Sequence, residues 1–239
     1  MKKLFLLLVV AASAAYAEMK VAENLDPIEE ALAKCDKQTL VLLDLGDTVI
    51  NAKDPALHSA HNEWKSAWFK REYPNMTRAE RLRLNKAIRS DMSVWMLLDS
   101  KWPALIKAAK AKGAKVFALT KQQVDPSLEG LTKAATLHFG LEFDEIIETD
   151  APLKGPVLEE YLQTASLPGK IIFVDDKKEQ ITSVHDACVK KGIPCTAIQI
   201  TAFTKEPPLN KEIGEIQLRT LATEHRWIPQ EVLEKRTQP

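Results

Sequence analysis

Asp44 follows the apolar run Val41-Leu42-Leu43 and is trailed by Leu45-Gly46-Asp47-Thr48. Thr120 closes Val116-Phe117-Ala118-Leu119, Lys154 opens a helical stretch in Ala151-Pro152-Leu153-Lys154-Gly155, and Asp175-Asp176 closes Ile171-Ile172-Phe173-Val174. An aspartate gathered with further carboxylates and a lysine has a definite chemistry. Asp44 can attack phosphorus if a divalent cation and Lys154 offset the charge that otherwise keeps a phosphate away from a carboxylate. Thr120 would donate its hydroxyl to a phosphoryl oxygen. None of these residues is a strong signal alone, because an Asp after an apolar strand commonly serves a turn. Asp175-Asp176 also suits the N-cap of a helix opening near Lys178.

Side chains scattered over 130 positions work together only if the fold gathers them, and open α/β sheets bind ligands beyond the carboxyl ends of their strands. The runs at 39–43, 115–119, 145–148, 170–174 and 195–200 lack strict alternation, as buried parallel strands do. Amphipathic stretches at 127–139, 154–164 and 178–191 separate the later runs, and a helix over 103–112 ends at Gly113, a good C-cap residue. Alternating strands and helices predict an α/β fold with a central parallel sheet and right-handed crossovers. The interval 51–100 contains no strand-like run and predicts two or more helices, one over 55–71 and another over 78–98, inserted after the first strand. Trp64 and Trp68, four apart, read as that insert's own core. A break at Glu206-Pro207-Pro208 precedes a helix over 210–224, expected to lie with Trp227 on the sheet edge.

Lys2-Lys3, the apolar run 4–12 and the small-residue stretch ending Ala15-Tyr16-Ala17 have the three parts of a secretory leader, with cleavage expected after Ala17. The run is too short to span a bilayer, so an exported, periplasmic or secreted protein without stable membrane insertion is expected. Beyond Ala17 the chain carries 31 basic and 33 acidic residues. That balance supports neither a nucleic-acid partner nor a polybasic membrane surface. Cys188 and Cys195, at a helix end and a strand start, could bridge in an oxidising compartment, or serve with Cys35 as small buried hydrophobes. His58 and His61 could share a metal if helical, although such pairs usually face solvent. Arg78, Arg81, Arg83 and Arg89 read first as a solvated helix face, with an anion clamp among them as the alternative.

Taken in order, the four sites resemble the motifs of the haloacid dehalogenase (HAD) superfamily: the DxDxT loop, the strand-end Thr, the Lys and the acidic pair. The stretches WPALIKAAKAKGAKVFALT, LHFGLEFDE, LKGPVLEEYL and KIIFVDDKKEQITSVHDAC are most similar to a bacterial, often exported HAD-like group, domain of unknown function 2608. The resemblance implies a HAD-like three-layer sandwich with a core over 18–50 and 101–203. It also implies a helical C1-type cap over 51–100 and a C-terminal helical extension over 204–239. By the same resemblance Asp44 is the nucleophile, Thr120 and Lys154 hold phosphate, and Mg²⁺ is bound by Asp44, the Gly46 carbonyl, Asp175 and Asp176, with Glu179 adding a ligand through water. The implied activity is hydrolysis of a phosphorylated or anionic small molecule.

The chain departs from that pattern at one position. The second Asp of the first motif, which in family phosphatases protonates the leaving oxygen and activates water, is Gly46 here. Three readings follow: a phosphatase-like hydrolase with a reassigned acid/base, a HAD-fold ligand-binding or interaction protein with little turnover, or a branch resembling dehalogenases and phosphonatases. Asp47 is the nearest substitute, but adjacent residues of an extended loop point to opposite sides.

Overall fold

In the computed structural model, residues 17–203, 205 and 207–237 are described. The leader expected over 1–17 falls, apart from Ala17, outside them. The chain begins with β1 (Ala17–Ala22), α1 (Asp26–Ala33), β2 (Thr39–Leu43) and β3 (Ile50–Ala52). Helices α2 (Asn62–Glu72) and α3 (Arg78–Ser90), β4 (Trp95–Leu97) and α4 (Trp102–Ala111) follow. Next come β5 (Lys115–Lys121), α5 (Leu131–His138), β6 (Glu145–Thr149) and α6 (Lys154–Thr164). The chain continues through β7 (Lys170–Asp175), α7 (Lys178–Lys191), β8 (Cys195–Ile200), α8 (Lys211–Glu224) and α9 (Gln230–Thr237).

Six strands form one parallel sheet in the order β1-β8-β7-β2-β5-β6. Successive residues of a strand face opposite sides, and both sides are covered. Val41, Leu43, Val116, Val174 and Ile198 pack with Ile28 and Leu32 of α1 and Ile106 of α4. Leu40, Leu42, Phe117, Phe173 and Ala197 pack with Leu158 of α6 and Ile181 and Val184 of α7. This is the three-layer α/β sandwich implied by the motif order. Double coverage explains why the central strands read as continuous apolar runs. The chain leaves β2 for β5 and β6 on one side, then crosses to β7 and β8 on the other. The carboxyl end of β2, where Asp44 begins, is therefore the switch point of the sheet.

Several expectations need correction. The edge strand β1 pairs with β8, although Ala17–Ala22 exposes Met19 and Val21 and has no apolar-run signal. The interval 51–100 does contain a strand: β4 pairs antiparallel with β3, Ile50 opposite Leu97 and Ala52 opposite Trp95, and so ties off the base of the insert. The second inserted helix stops at Ser90, because Asp91 turns extended and leads into a 3-10 turn over Met92–Val94. Its start is firm, since Thr77 and Glu80 form a capping box. The first inserted helix starts at Asn62, because His58 is extended between two 3-10 turns.

The C-terminal helix does not lie on the sheet edge. Leu218 and Leu221 of α8, with Trp227, join Trp68, Leu84 and Val94 in a core separate from those of the sheet, and Trp64 packs against it. The insert's apolar face needed a cover that two short helices could not provide, and α8 supplies it. Asp54, buried at the start of the insert, fastens this cover: Oδ2 accepts from Trp227 Nε1 at 2.5 Å and from Gln217 Nε2 at 3.1 Å. The three cysteines are free and buried, with Cys188 and Cys195 in the core between the sheet and α7. A hydrogen bond with Cys188, together with burial, pushes the Cys195 thiol far above its ordinary range, so both act as small core side chains.

Candidate active site

The strand ends bring Asp44, Lys154 and Asp175 into contact. Lys154, at the first turn of α6, is 2% exposed, and its Nζ lies 2.6 Å from Asp44 Oδ1 and 2.6 Å from Asp175 Oδ2. A buried ammonium is costly unless paired and hydrogen-bonded, and here two carboxylates hold it. Its position is set from below. Lys154 N donates to Gln180 Oε1 at 2.9 Å, and Gln180 Nε2 donates to the Pro152 carbonyl at 3.0 Å. Gly155 N donates to Ser183 Oγ at 3.0 Å. A Cβ at Gly155 would stand 2.2 Å from the Ser183 carbonyl oxygen, so only glycine lets α6 approach α7 this closely. Gln180, Ser183 and Gly155 were not among the sequence candidates. The signal available for them was weak, a polar side chain one turn into α7 and a Gly beside the lysine.

Asp44, Asp175 and Asp176 offer carboxylate oxygens within 4.8 Å of one another, the acidic grouping among the described residues that could hold a cation. Their roles differ. Asp175 uses Oδ2 on Lys154 and Oδ1 on the Lys177 amide at 2.8 Å. Asp176 Oδ1 is buried and has no hydrogen-bond partner, and a buried acceptor without a partner is rare enough to need a reason. No side chain caps α7, so the N-cap reading of the pair does not hold. Burial raises the Asp44 carboxyl to about 6, with Asp175 adding to the rise and Lys154 opposing it. Burial and the neighbouring Asp175 raise Asp176 to about 7. Hard oxygen donors, mutual repulsion and an orphaned oxygen together fit a bound divalent cation.

Thr120, buried at the end of β5, lines the same cavity of about 640 Å³ as Asp44, Gly46, Lys154 and Asp175. Gly46 is exposed, and a Cβ built there would meet nothing within 4 Å. Asp47 adopts φ +60°, unusual for a side-chain-bearing residue. Its Oδ1 accepts from Asn51 Nδ2 at 2.5 Å and its Oδ2 from Ser59 Oγ at 2.5 Å. Both oxygens thus brace the first-motif loop against the insert. Glu179 is exposed and faces another surface groove, away from this cavity.

Among the lesser candidates, Arg89 reaches the cavity and the other arginines do not. Its Nη2 lies 2.8 Å from Glu148 and 2.5 Å from Thr132 Oγ1, joining α3 to the core. Trp95 also lines the cavity, whereas Trp68 is buried in the insert. The histidines do not lie on one helix, and each ring has a backbone partner of its own. His58 Nε2 contacts the Ala52 carbonyl at 2.8 Å from the extended link between the two 3-10 turns, and His61 Nε2 contacts the Pro207 carbonyl at 3.0 Å from the end of the second turn.

A family model described as a protein of unknown function, DUF2608, matches residues 21–150 and 143–234. The chain belongs to the DUF2608 family. Among its relatives is a Chlamydia trachomatis protein named "Putative outer membrane protein", 24% identical over 90% of this chain and 89% of its own length. A Chlamydia pneumoniae protein with a similar name is 25% identical over 86% of each chain. Among solved structures, the HAD domain of the effector protein Lem4 from Legionella pneumophila is 11% identical, with a TM-score of 0.43 over 86% of this DUF2608 chain and 100% of that one. A haloacid dehalogenase-like hydrolase from Streptococcus pneumoniae is 18% identical, with a TM-score of 0.35 over 67% of this chain and 84% of that one.

Proposed function

We propose that this DUF2608 protein is an exported, Mg²⁺-dependent, phosphatase-like hydrolase that uses Asp44 as its nucleophile on a phosphorylated small molecule. The observation that carries the reading is the strand-end cluster: a carboxylate beside a buried lysine, within reach of two further acids, one of which has an oxygen without a partner. Asp44, the Gly46 carbonyl and Asp176 would hold the cation, which when bound neutralises phosphate charge. Lys154 keeps Asp44 Oδ1 fixed, and Thr120, which lines the same cavity, would donate to a phosphoryl oxygen. Asp44 attacks phosphorus, the bond from phosphorus to the leaving oxygen breaks, and water then cleaves the aspartyl phosphate to release phosphate and restore the carboxylate. The outer-membrane names of the chlamydial relatives and the leader-like N-terminus support export. No helix among the described residues is long and apolar enough to cross a membrane.

Gly46 favours substrates that leave without proton assistance, since Asp47 has both oxygens engaged. Aryl phosphates are the substrates of choice for the test. With Mg²⁺, the wild type is expected to hydrolyse an aryl phosphate while Asp44→Asn stays at the buffer rate. A wild-type rate no higher than that variant's rejects hydrolysis and leaves the second reading, a binding protein built on the same site.

Cation binding has its own readout. A carboxyl whose folded pKa is raised keeps its proton longer when folded, so Asp44 and Asp176 cost stability at neutral pH, and that cost is relieved as the pH falls from about 7 towards 4. Mg²⁺ at about a hundredfold over its Kd is expected to raise Tm by roughly 5–10 °C at pH 7.5. The rise should shrink towards zero at pH 5, where protons compete for the same oxygens. An equal rise at both pH values places Mg²⁺ elsewhere.

A further inference from the structure

A second cavity, also of about 640 Å³, lies within the insert between α2, α3 and α8. The greater part of its wall is apolar, with Phe69, Leu84 and Leu218 among the residues that form it. Its charged lining consists of Lys65, Lys70 and Arg81, with no acid, whereas the catalytic cavity balances Asp44, Asp47, Asp150 and Asp175 with Arg89, Lys121, Lys154 and Lys177. The two adjoin: Asn62, Asn85 and Gln123 line both, and Asn85 Nδ2 donates to Gln123 Oε1 at 2.6 Å on the shared wall.

Lys65 is the feature that asks for a ligand. Its Nζ donates to the Leu57 carbonyl at 3.3 Å, and among the described residues no carboxylate lies within ion-pair distance of it. Burial holds its ammonium down to about 8, with Asp47 only partly opposing. A half-buried cation facing an apolar cavity without a counter-ion carries a desolvation cost that an incoming anion would offset.

Resting on the hydrolase reading above, we propose that this cavity receives the leaving group of the substrate: an apolar body ending in a second anionic group, carboxylate or phosphate, that pairs with Lys65. The phosphoryl group would then sit at Asp44, the body would pass the Asn85–Gln123 pair, and the far anion would meet the three cations. This makes the substrate an amphipathic bis-anion and not a simple sugar or alkyl phosphate. The shared wall of the two cavities and the absence of any acid among the charged residues lining the second are the supports.

The test uses non-hydrolysable benzylphosphonates bearing a para carboxylate on one to four methylenes, each paired with its methyl ester, titrated by calorimetry into the Mg²⁺-loaded full chain. At the best length the acid should bind at least tenfold more tightly than its ester. Lys65→Met should erase that preference, and Lys65→Arg should keep it, with thermal melts confirming that both variants are folded. Equal affinity of acid and ester at every length, no binding of either, or a preference that survives Lys65→Met overturns the proposal. A Lys65-dependent preference without hydrolysis of the matching phosphate upholds the cavity assignment while sinking the hydrolase reading. Hydrolysis of aryl phosphates without any preference does the reverse.

Discussion

Gly46→Asp is expected to raise kcat/KM for alkyl phosphates by about 10²–10⁴-fold, the usual worth of a positioned general acid and base. The backbone permits the change: Gly46 is not among the positive-φ residues, and its Cβ would meet nothing within 4 Å. A carboxylate there would project from the loop that carries Asp44, beside the cavity that both residues line. It could hand a proton to the leaving oxygen and then take one from the water that cleaves the aspartyl phosphate. The gain should be smaller for aryl phosphates, whose leaving groups need little help, so the ratio of the two gains is the diagnostic. Gly46→Asn, similar in size but unable to exchange a proton, should give neither. A folded Gly46→Asp protein with unchanged rates on both substrate types would show that the scaffold lacks more than an acid.

The second large effect concerns stability. Lys154→Met keeps the unbranched apolar stem of the side chain but leaves Asp44 and Asp175 buried without their shared cation. Removing one partner of a buried ion pair costs about 3–5 kcal/mol, and here one ammonium serves two carboxylates at 2.6 Å each. Denaturant unfolding at pH 7.5 should show a loss of that order. Lys154 currently opposes the upward shift of Asp44, so its removal should raise that carboxyl further. The penalty for a raised acid is complete above its folded pKa and is lost as the pH falls towards its unfolded value. The deficit of the variant should therefore narrow between pH 7.5 and pH 4. A deficit that is constant with pH would mean that packing, and not charge, is what the lysine supplies.

Much of the core was legible because its physics is local. Strands covered on both faces must be apolar along their whole length, so β2, β5, β7 and β8 stood out, and the strand-end rule pointed to Asp44, Thr120 and Asp175. The edge strand β1 escaped because much of it meets solvent: Met19, Lys20 and Val21 are exposed, and Glu18 and Lys20 interrupt the apolar residues. β3 and β4 are three residues each, too short for any period to show. The placement of α8 depended on what the insert lacked, and a sequence pattern reports what a helix buries, not against which partner. Within the site, residue types were readable but the division of labour was not. Only the geometry separates Asp175, with both oxygens engaged, from Asp176, with one oxygen lacking a partner.

The bonds from Trp227 and Gln217 to Asp54 have a bearing on how the cleft can be reached. They join the inserted helices and the tail of the chain into one packed unit, although the two lie far apart in sequence. A hinge confined to the β3–β4 ladder would tear α8 from its seat and strand a buried aspartate. A chain truncated before α8 should therefore lose more than its tail: the insert would be left with a bare apolar face and Asp54 without its Trp227 and Gln217 donors.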